Sequence, residues 1–320
     1  MTDGLHTVAT PDRLGDLPDG IARLGAEAWG LTRPDLHLVQ IEEGRLAGRL
    51  SAWASGPEAG TGCLGHAAWE DPEAGQTLIE AGCAWLAERG VRTVLGPLDG
   101  STWFSYRVVT ESDGSPPFRM EPTPAPSIAE AFAAAGFSPV AHYLSSRVDA
   151  LPDLAAEAEA ARARLGDAGV TVRPFRLDAA EAELRALYPL LLRAFADNLY
   201  YTPLDEARFL AAYGALLPLI HPRLVLIAER DGAPVAVVLA YPDADAETVV
   251  VKTLAVHPEA QGAGLGGALA LLVQAESRSL GRTRAIHALM HADNASVRIS
   301  GRLGTPFRRY ALLGRALDPR

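Results

Sequence analysis

The sequence is poor in cysteine. Two in 320 residues, Cys63 and Cys83, make neither a disulfide framework nor a metal-ligand spacing. Both read as small buried residues, and their scarcity points to a reducing, cytoplasmic compartment. Long apolar runs are missing too. A membrane helix needs about 18 such residues, and the best stretch, ALYPLLLRAF, is cut by Arg193, so no membrane association is expected. The opening MTDGLHTVATPDRLGDLPDG has no basic segment followed by an apolar one, so it does not read as a secretory signal. No lysine or arginine run occurs, and the formal net charge of −10 opposes nucleic-acid binding, which depends on neutralising phosphates. No metal centre is expected. His287 and His291, four apart on an expected strand, share a face but have no further ligand near them. These absences leave a soluble enzyme or binding protein, long enough for two domains, whose oligomeric state nothing in the sequence sets.

What is present is an internal repeat. In the second half, RLVLIAERDGAPVAVVLAYPD reads as two strands around Asp231-Gly232, and TVVVKTLAV as a β-branched strand. A glycine-rich turn, a long helix to about Leu280 and the strand RAIHALMHA follow. The first half repeats that order. LHLVQIEEGRLAGRLSAWA is a hairpin around Glu43-Gly44. CLGHAAWEDPEAG aligns with VVVKTLAVHPEAQGAG, setting Pro72-Glu73-Ala74 against Pro258-Glu259-Ala260. IAEAFAAAGFSPVAHYLSSRV aligns with SVRISGRLGTPFRRYALLGRAL. Between the copies, the alanine-rich segment 151–169 reads as a connector helix. The copies differ at one place. Pro72 to the helix-ending Gly90 is 18 positions, whereas Pro258 to Gly281 is 23. The first copy is shorter where the second carries its glycines, so the duplicated fold kept that loop once.

The stretch VHPEAQGAGLGGAL, residues 256–269, satisfies two glycine templates. Gly262, Gly264 and Gly267 spell the G-x-G-x-x-G of dinucleotide folds, while Gln261, Gly264 and Gly266 spell Q-x-x-G-x-G. The dinucleotide reading fails on three counts. Five residues separate Val256 from Gly262, where the strand should enter the turn directly. In place of the acidic residue expected about 20 positions on stand Arg282, Arg284 and His287. Only 53 residues follow Gly267, too few for the remaining strands of a doubly wound sheet. No Gly-Lys-Ser/Thr follows either, which excludes a P-loop. The second template has a coherent use. Glycines bare the backbone N–H groups and a helix N-terminus adds partial positive charge, so the loop can hold a pyrophosphate without lysine. The plain alternative is a glycine-rich helix start that only permits close packing.

Strand, V-x-P turn, Q-x-x-G-x-G and helix together resemble the GNAT superfamily of N-acetyltransferases. That family's pattern after the next strand is N-x-x-A-x-x-Y-x-x-x-G-F. Asn294, Val297, Ser300 and Gly304 stand at those places here, with serine where many members carry a tyrosine. The resemblance covers roughly residues 170–317 well and the first half as a degenerate copy. It implies an α/β fold of two GNAT-like domains, each a mixed, mostly antiparallel twisted sheet flanked by helices. Residues 1–150 would be scaffold and acceptor-pocket wall, 151–169 the connector, and 170–320 the acetyl-CoA-binding domain. The implied reaction moves an acetyl group from acetyl-CoA, the co-substrate, directly to a primary amine of a small molecule or peptide, with no metal. By the same resemblance, the pyrophosphate would rest on the backbone of Gln261, Gly262, Ala263, Gly264, Leu265, Gly266 and Gly267. The pantetheine arm would pair with the edge formed by Leu254, Ala255 and Val256, where an N–H would polarise the thioester carbonyl. Asn294 would contact the arm or the helix after it.

Two proton transfers need residues: the amine must lose a proton and the leaving thiolate must gain one. The catalytic candidates are Ser300, at the tyrosine's place but with a shorter reach and a higher pKa, and His291, a relay near the end of its strand. A hydrogen-bonded structural histidine is the plainer reading of His291. Lys252, in an apolar strand, is either buried with a lowered pKa or snorkelling at the sheet edge. The acceptor pocket is expected to draw on Tyr200 and Tyr201, between two helices of the second half. Asp99, Trp103 and Tyr106, in the loop GPLDGSTWFSYRVV, join them from the first. An aromatic minicore under a long loop is the alternative there. Two other functions stay open: a non-catalytic acyl-CoA sensor, and a mycothiol synthase-like acetyltransferase, itself a tandem GNAT enzyme of similar length.

Overall fold

The computed structural model describes residues 2–122 and 125–317, with Ala295 described by its backbone. The first copy runs β1 (Gly4–Thr7), α1 (Ala26–Thr32), β2 (Leu36–Glu42), β3 (Arg45–Trp53) and β4 (Thr61–Trp69). It continues through α2 (Pro72–Ala87), β5 (Thr93–Gly96), β6 (Val108–Ser112), α3 (Pro126–Ala134) and β7 (Ser138–Val148). Within the segment 151–169 lies the helix α4 (Ala155–Asp167). The second copy runs β8 (Thr171–Pro174), α5 (Ala180–Phe195), α6 (Glu206–Gly214), β9 (Val225–Arg230), β10 (Ala233–Pro242) and β11 (Thr248–Val256). It ends with α7 (Leu265–Ser279), β12 (Arg284–His291), α8 (Ala295–Ser300) and β13 (Thr305–Ala316).

Both hairpins form where the chain can turn. Glu43 and Gly44 take φ of 50° and 71°, and Asp231 and Gly232 take 52° and 78°. That left-handed pair is what a two-residue hairpin requires. Period-2 alternation then sorts each strand into two faces. In the second copy, Leu226, Val238 and Val249 pack under α4 and α7 with Leu165, Leu269 and Val273. Their neighbours Val225, Val237 and Val250 face the other way, against Leu187, Leu191 and Phe209 of α5 and α6. Each fully buried aliphatic side chain of this kind contributes roughly 1.5–3 kcal/mol. Cys63 and Cys83 are buried, and burial pushes their thiols up to about 12 and about 11, which removes them as nucleophiles.

The repeat does not fold as two separate sheets. One continuous sheet has the order β1-β2-β3-β4-β5-β13-β7-β12-β11-β10-β9-β8, with β6 also pairing to β13. The two strand pairs β4–β5 and β11–β12 are parallel and the rest antiparallel. The last strands of the copies have changed places: β13 lies beside β5 of the first copy, and β7 beside β12 of the second. They meet at the centre in a long antiparallel pair, from Thr305↔Arg147 to Gly314↔Ser138. A buried polar network closes this seam. Arg308 Nη1 donates to Glu121 Oε2 at 2.5 Å, the Tyr310 hydroxyl donates to the other oxygen of Glu121, and Ser145 Oγ accepts from the N–H of Leu289 at 3.0 Å. No described helix is long and apolar enough to cross a membrane. Among the described residues, no group of three or more His, Cys, Asp or Glu stands together as a metal site would need.

Candidate functional site

Strands β11 and β12 run parallel from Thr248↔Arg284 to Val251↔His287, and the ladder stops there. Two departures from regular strand open the pair. Leu239 pairs with Thr253 and Ala240 with Val251, so Lys252 is an extra residue, a β-bulge that bends β11. On β12, Leu289 takes φ of 58°, and the pairing with β7 shifts between His287 and Met290. Past Val251 the edge of β11 has no strand partner on this side, and a cavity of about 180 Å³ occupies the gap. Lys252, Leu254, His287, His291, Asn294 and Ser300 line it, with Phe195 and Asn198 from the end of α5 and just beyond.

The glycine loop lies alongside. A Cβ on Gly266 would sit 3.6 Å from Ile299 Cδ1 and 3.7 Å from Leu254 Cδ2, and both residues line the cavity. Pro258–Ala260 makes one 3₁₀ turn, Gly262 and Gly264 take φ of 82° and 75°, and α7 begins at Leu265. A Cβ on Gly262, Gly264 or Gly267 would meet nothing within 4 Å. Close packing is therefore not why glycine stands there; at Gly262 and Gly264 the left-handed backbone is. Gly264 offers no side-chain cap, which leaves the first N–H groups of α7 without a capping acceptor.

The first copy has spent its equivalent groups on itself. Helix α2 starts at Pro72, with Asp71 as its cap. That carboxylate accepts from the N–H of Glu73 and of Ala74 at 2.9 Å each, taking the place an anion would need. Strands β4 and β5 also part after Cys63↔Leu95, but the chain fills the gap. The N–H of Leu98 donates to the carbonyl of Leu64 at 2.8 Å, and the N–H of His66 donates to Asp99 Oδ1 at 2.6 Å.

The chain has known counterparts. Residues 184–304 match the family model described as the acetyltransferase (GNAT) family. Those residues lie in the second copy and make up about two fifths of the chain. Across the whole chain, a tandem GNAT protein from the clavulanic acid biosynthesis pathway superposes with a TM-score of 0.54 at 15% identity, covering 99% of this chain and 100% of that one. A GCN5-related N-acetyltransferase from Sphaerobacter thermophilus gives 0.51 at 16% identity, covering 88% and 81%. These likenesses establish the fold, two GNAT-like copies with mixed, mostly antiparallel sheet flanked by helices. A curated relative named bacterial ceramide synthase, from Caulobacter vibrioides (strain NA1000 / CB15N), is 28% identical over 211 residues, 62% of this chain. The match spans about half of that relative, 54% of its length.

Within the second copy, Ser300 has a partner that sequence spacing does not suggest. Ser300 Oγ and His287 Nδ1 share a hydrogen bond of 2.7 Å. Both residues are buried, and burial pushes His287 down to about 4, so it is neutral at ordinary pH. Strand periodicity ties His287 to His291; its tie to Ser300 comes from the packing of α8. His291 lines the cavity separately, its Nδ1 accepting from the N–H of Asp293 at 3.3 Å and its ring edge-on to Tyr143 at 5.2 Å. Leu254 and Asn294 face the gap, Ala255 is buried toward α5 and α6, and Val256 pairs with Ala236. Burial, and then the charge of Arg107, push Lys252 down to about 8.

None of the five acceptor candidates is among the residues lining the cavity. Asp99 is tied to His66, and burial pushes its carboxyl up to about 6. Trp103 Nε1 donates to the carbonyl of Thr202 at 2.9 Å, and its ring lies 5.9–6.3 Å from Phe195, Tyr201, Phe209 and Tyr213. The Tyr201 hydroxyl is buried without a partner. Tyr106 is edge-on to Tyr143 at 5.5 Å, and Tyr200 packs against the same cluster. The structure thus brings the first copy's loop against the second copy's helices, beside the cavity. Phe195 and Asn198 are the residues a sequence reading passes over. Arg107 stands in that aromatic loop, and its Nη1 donates to the carbonyl of the cavity residue Leu289 at 3.1 Å.

Proposed function

We propose that this protein transfers an acetyl group from acetyl-CoA to a primary amine by direct attack of the amine on the thioester. The observation that supports this above others is the uncapped glycine turn before α7, set beside a strand edge that lacks a partner. The backbone of Gln261 to Gly267 would hold the pyrophosphate, and the edge from Leu254 to Val256 would hydrogen-bond the pantetheine, with Asn294 flanking it. Acetyl-CoA supplies the activated acyl carbon. The chain's own groups orient the reactants and keep water out. A backbone N–H near Leu254–Val256 would meet the negative charge that grows on the carbonyl oxygen. Among the described residues no Asp or Glu lines the cavity, so an ammonium finds no counter-charge there and the acceptor is held as the neutral amine. His291 would relay the amine's proton outward, and Ser300, hydrogen-bonded to His287, would steady the leaving sulfur. The acceptor would approach along the seam where the loop of Asp99, Trp103 and Tyr106 meets Tyr200 and Tyr201.

A second reading, an acyl-CoA sensor without turnover, is favoured by the serine at the tyrosine's place. One experiment separates the two. Coenzyme A at about a hundredfold excess over Kd should stabilise the protein by about 2.7 kcal/mol in a melting assay, with NADH and ATP inert. An amine library offered with acetyl-CoA is then read by mass spectrometry for acetylated product. Longer acyl-CoA donors and lipid amines belong in that screen, because the curated relative carries the name of a ceramide synthase. Product formation supports the transferase, and coenzyme binding without product supports the sensor. An equal melting shift with NADH overturns both.

A further inference from the structure

Of the 29 lysines and arginines in this protein, Lys252 alone is lysine. It occupies the bulge of β11 and lines the cavity. Among the described residues no carboxylate shares that lining, and none of them gives the ammonium a counter-ion within the cavity. The charge that acts on it is another cation, Arg107. Arg107 is held in place: its guanidinium lies 3.7 Å from the ring centre of Tyr106 and 4.0 Å from that of Tyr143, and its Nη1 is bonded to Leu289. The other titratable groups facing the cavity, His287 and His291 of β12, supply no negative charge. Burial and repulsion together favour the neutral amine on Lys252, at about 8, and a neutral lysine amine is a nucleophile. Leu254, at the edge assigned to the thioester, is two residues along the strand, about 7 Å away and within the span of an extended lysine side chain.

We propose that Lys252 is a self-acetylation site, whose Nζ accepts the acetyl group from bound acetyl-CoA when no acceptor amine is present. This rests on the acetyl-CoA reading above. The neutral Nζ attacks the thioester carbonyl carbon, a C–N bond forms and the C–S bond breaks. Sulfur leaves as the thiolate, and the proton lost from nitrogen passes to it or to water. The products are Nε-acetyl-lysine and coenzyme A, with no oxidant or reductant required. The modification replaces the cavity's one ammonium by a neutral amide that fills the space beside the strand edge, and so throttles turnover.

The test uses the full chain incubated with acetyl-CoA and no amine, followed by intact-mass measurement and peptide mapping, with calorimetric titration of coenzyme A in parallel. The expected result is a gain of one acetyl group per chain, mapped to Lys252, at a rate that rises roughly tenfold from about pH 7 to about pH 9. Lys252→Arg should still bind coenzyme A and gain nothing at that peptide. Gly264→Glu, with its pyrophosphate seat blocked, should acetylate far more slowly, which separates templated transfer from reaction with bulk reagent. Coenzyme binding with Lys252 left unmodified overturns the proposal and leaves the acetyl-CoA reading standing. Equal modification of the wild type and Gly264→Glu also overturns it, and failure to bind coenzyme A removes both.

Discussion

Replacing Gly264 with glutamate would set a carboxylate at the uncapped start of α7 and force a side chain onto a φ of 75°. The strain costs about 1–2 kcal/mol, which a chain of this size tolerates. The added negative charge opposes a pyrophosphate at the very turn assigned to it. Gly264→Glu should therefore remain folded by circular dichroism yet give no heat when titrated with coenzyme A. Retained affinity would remove the loop from the site. Ser300→Ala tests a different link. It should lower turnover tenfold or less, because a serine is a poor proton donor. It should also cost about 1–3 kcal/mol of stability, since it strands the buried Nδ1 of His287 without its partner. Turnover abolished in a variant of unchanged stability would assign Ser300 the main acid role.

At the level of elements, the exchange of β7 and β13 sets the expectation. Without β13, residues 1–150 would leave bare the edges of β5 and β7 that β13 covers; without β7, residues 151–320 would leave β12 unpaired on one side. Unpaired apolar edges aggregate. Each segment expressed alone should be insoluble or expanded by size exclusion, and co-expression should restore a compact heterodimer. A monomeric 1–150 that melts cooperatively would count against this. The exchange was not legible in the sequence, because a strand carries the same alternation whether its neighbour lies in its own copy or the other. The hairpins at Glu43-Gly44 and Asp231-Gly232 were legible, since those residue pairs favour the left-handed backbone the turns require. The glycine loop was legible for the same local reason. Leu289 at a φ of 58° was not, because leucine there is held by tertiary structure alone. Nor was the bond between His287 and Ser300, which needs α8 folded back across β12.

For the whole molecule, acid should be the weak flank. His37, His66 and His287 are buried neutral, pushed down by desolvation to about 3, about 3 and about 4 from an ordinary value near 6.5. The unfolded chain takes up protons that the folded one refuses. Stability is therefore full above about pH 6.5 and falls as the pH drops toward about 4, by up to ~1.4 kcal/mol per pH unit for each histidine. Asp99 opposes this. Its carboxyl is pushed up to about 6, so its contribution is largest at low pH and is lost as the pH rises through that value. It offsets one histidine of the three. The urea midpoint should be clearly lower at about pH 5 than at about pH 7, and equal midpoints would contradict the buried neutral imidazoles. Coenzyme stoichiometry is the second whole-chain observable. With Asp71 capping α2 and Leu98 bridging to β4, calorimetry should return a value near one per chain; a value near two would mean those self-contacts yield to ligand.

The crossed final strands also bear on how such a chain can be inherited. A duplicate that has filled its own ligand cleft would ordinarily be free to erode and disappear. Here the first copy donates the strand that borders β12 and receives β13 in return. A deletion that trimmed the first copy from the gene would strip β12 of its partner as well. Its cleft can drift, but its backbone is held hostage.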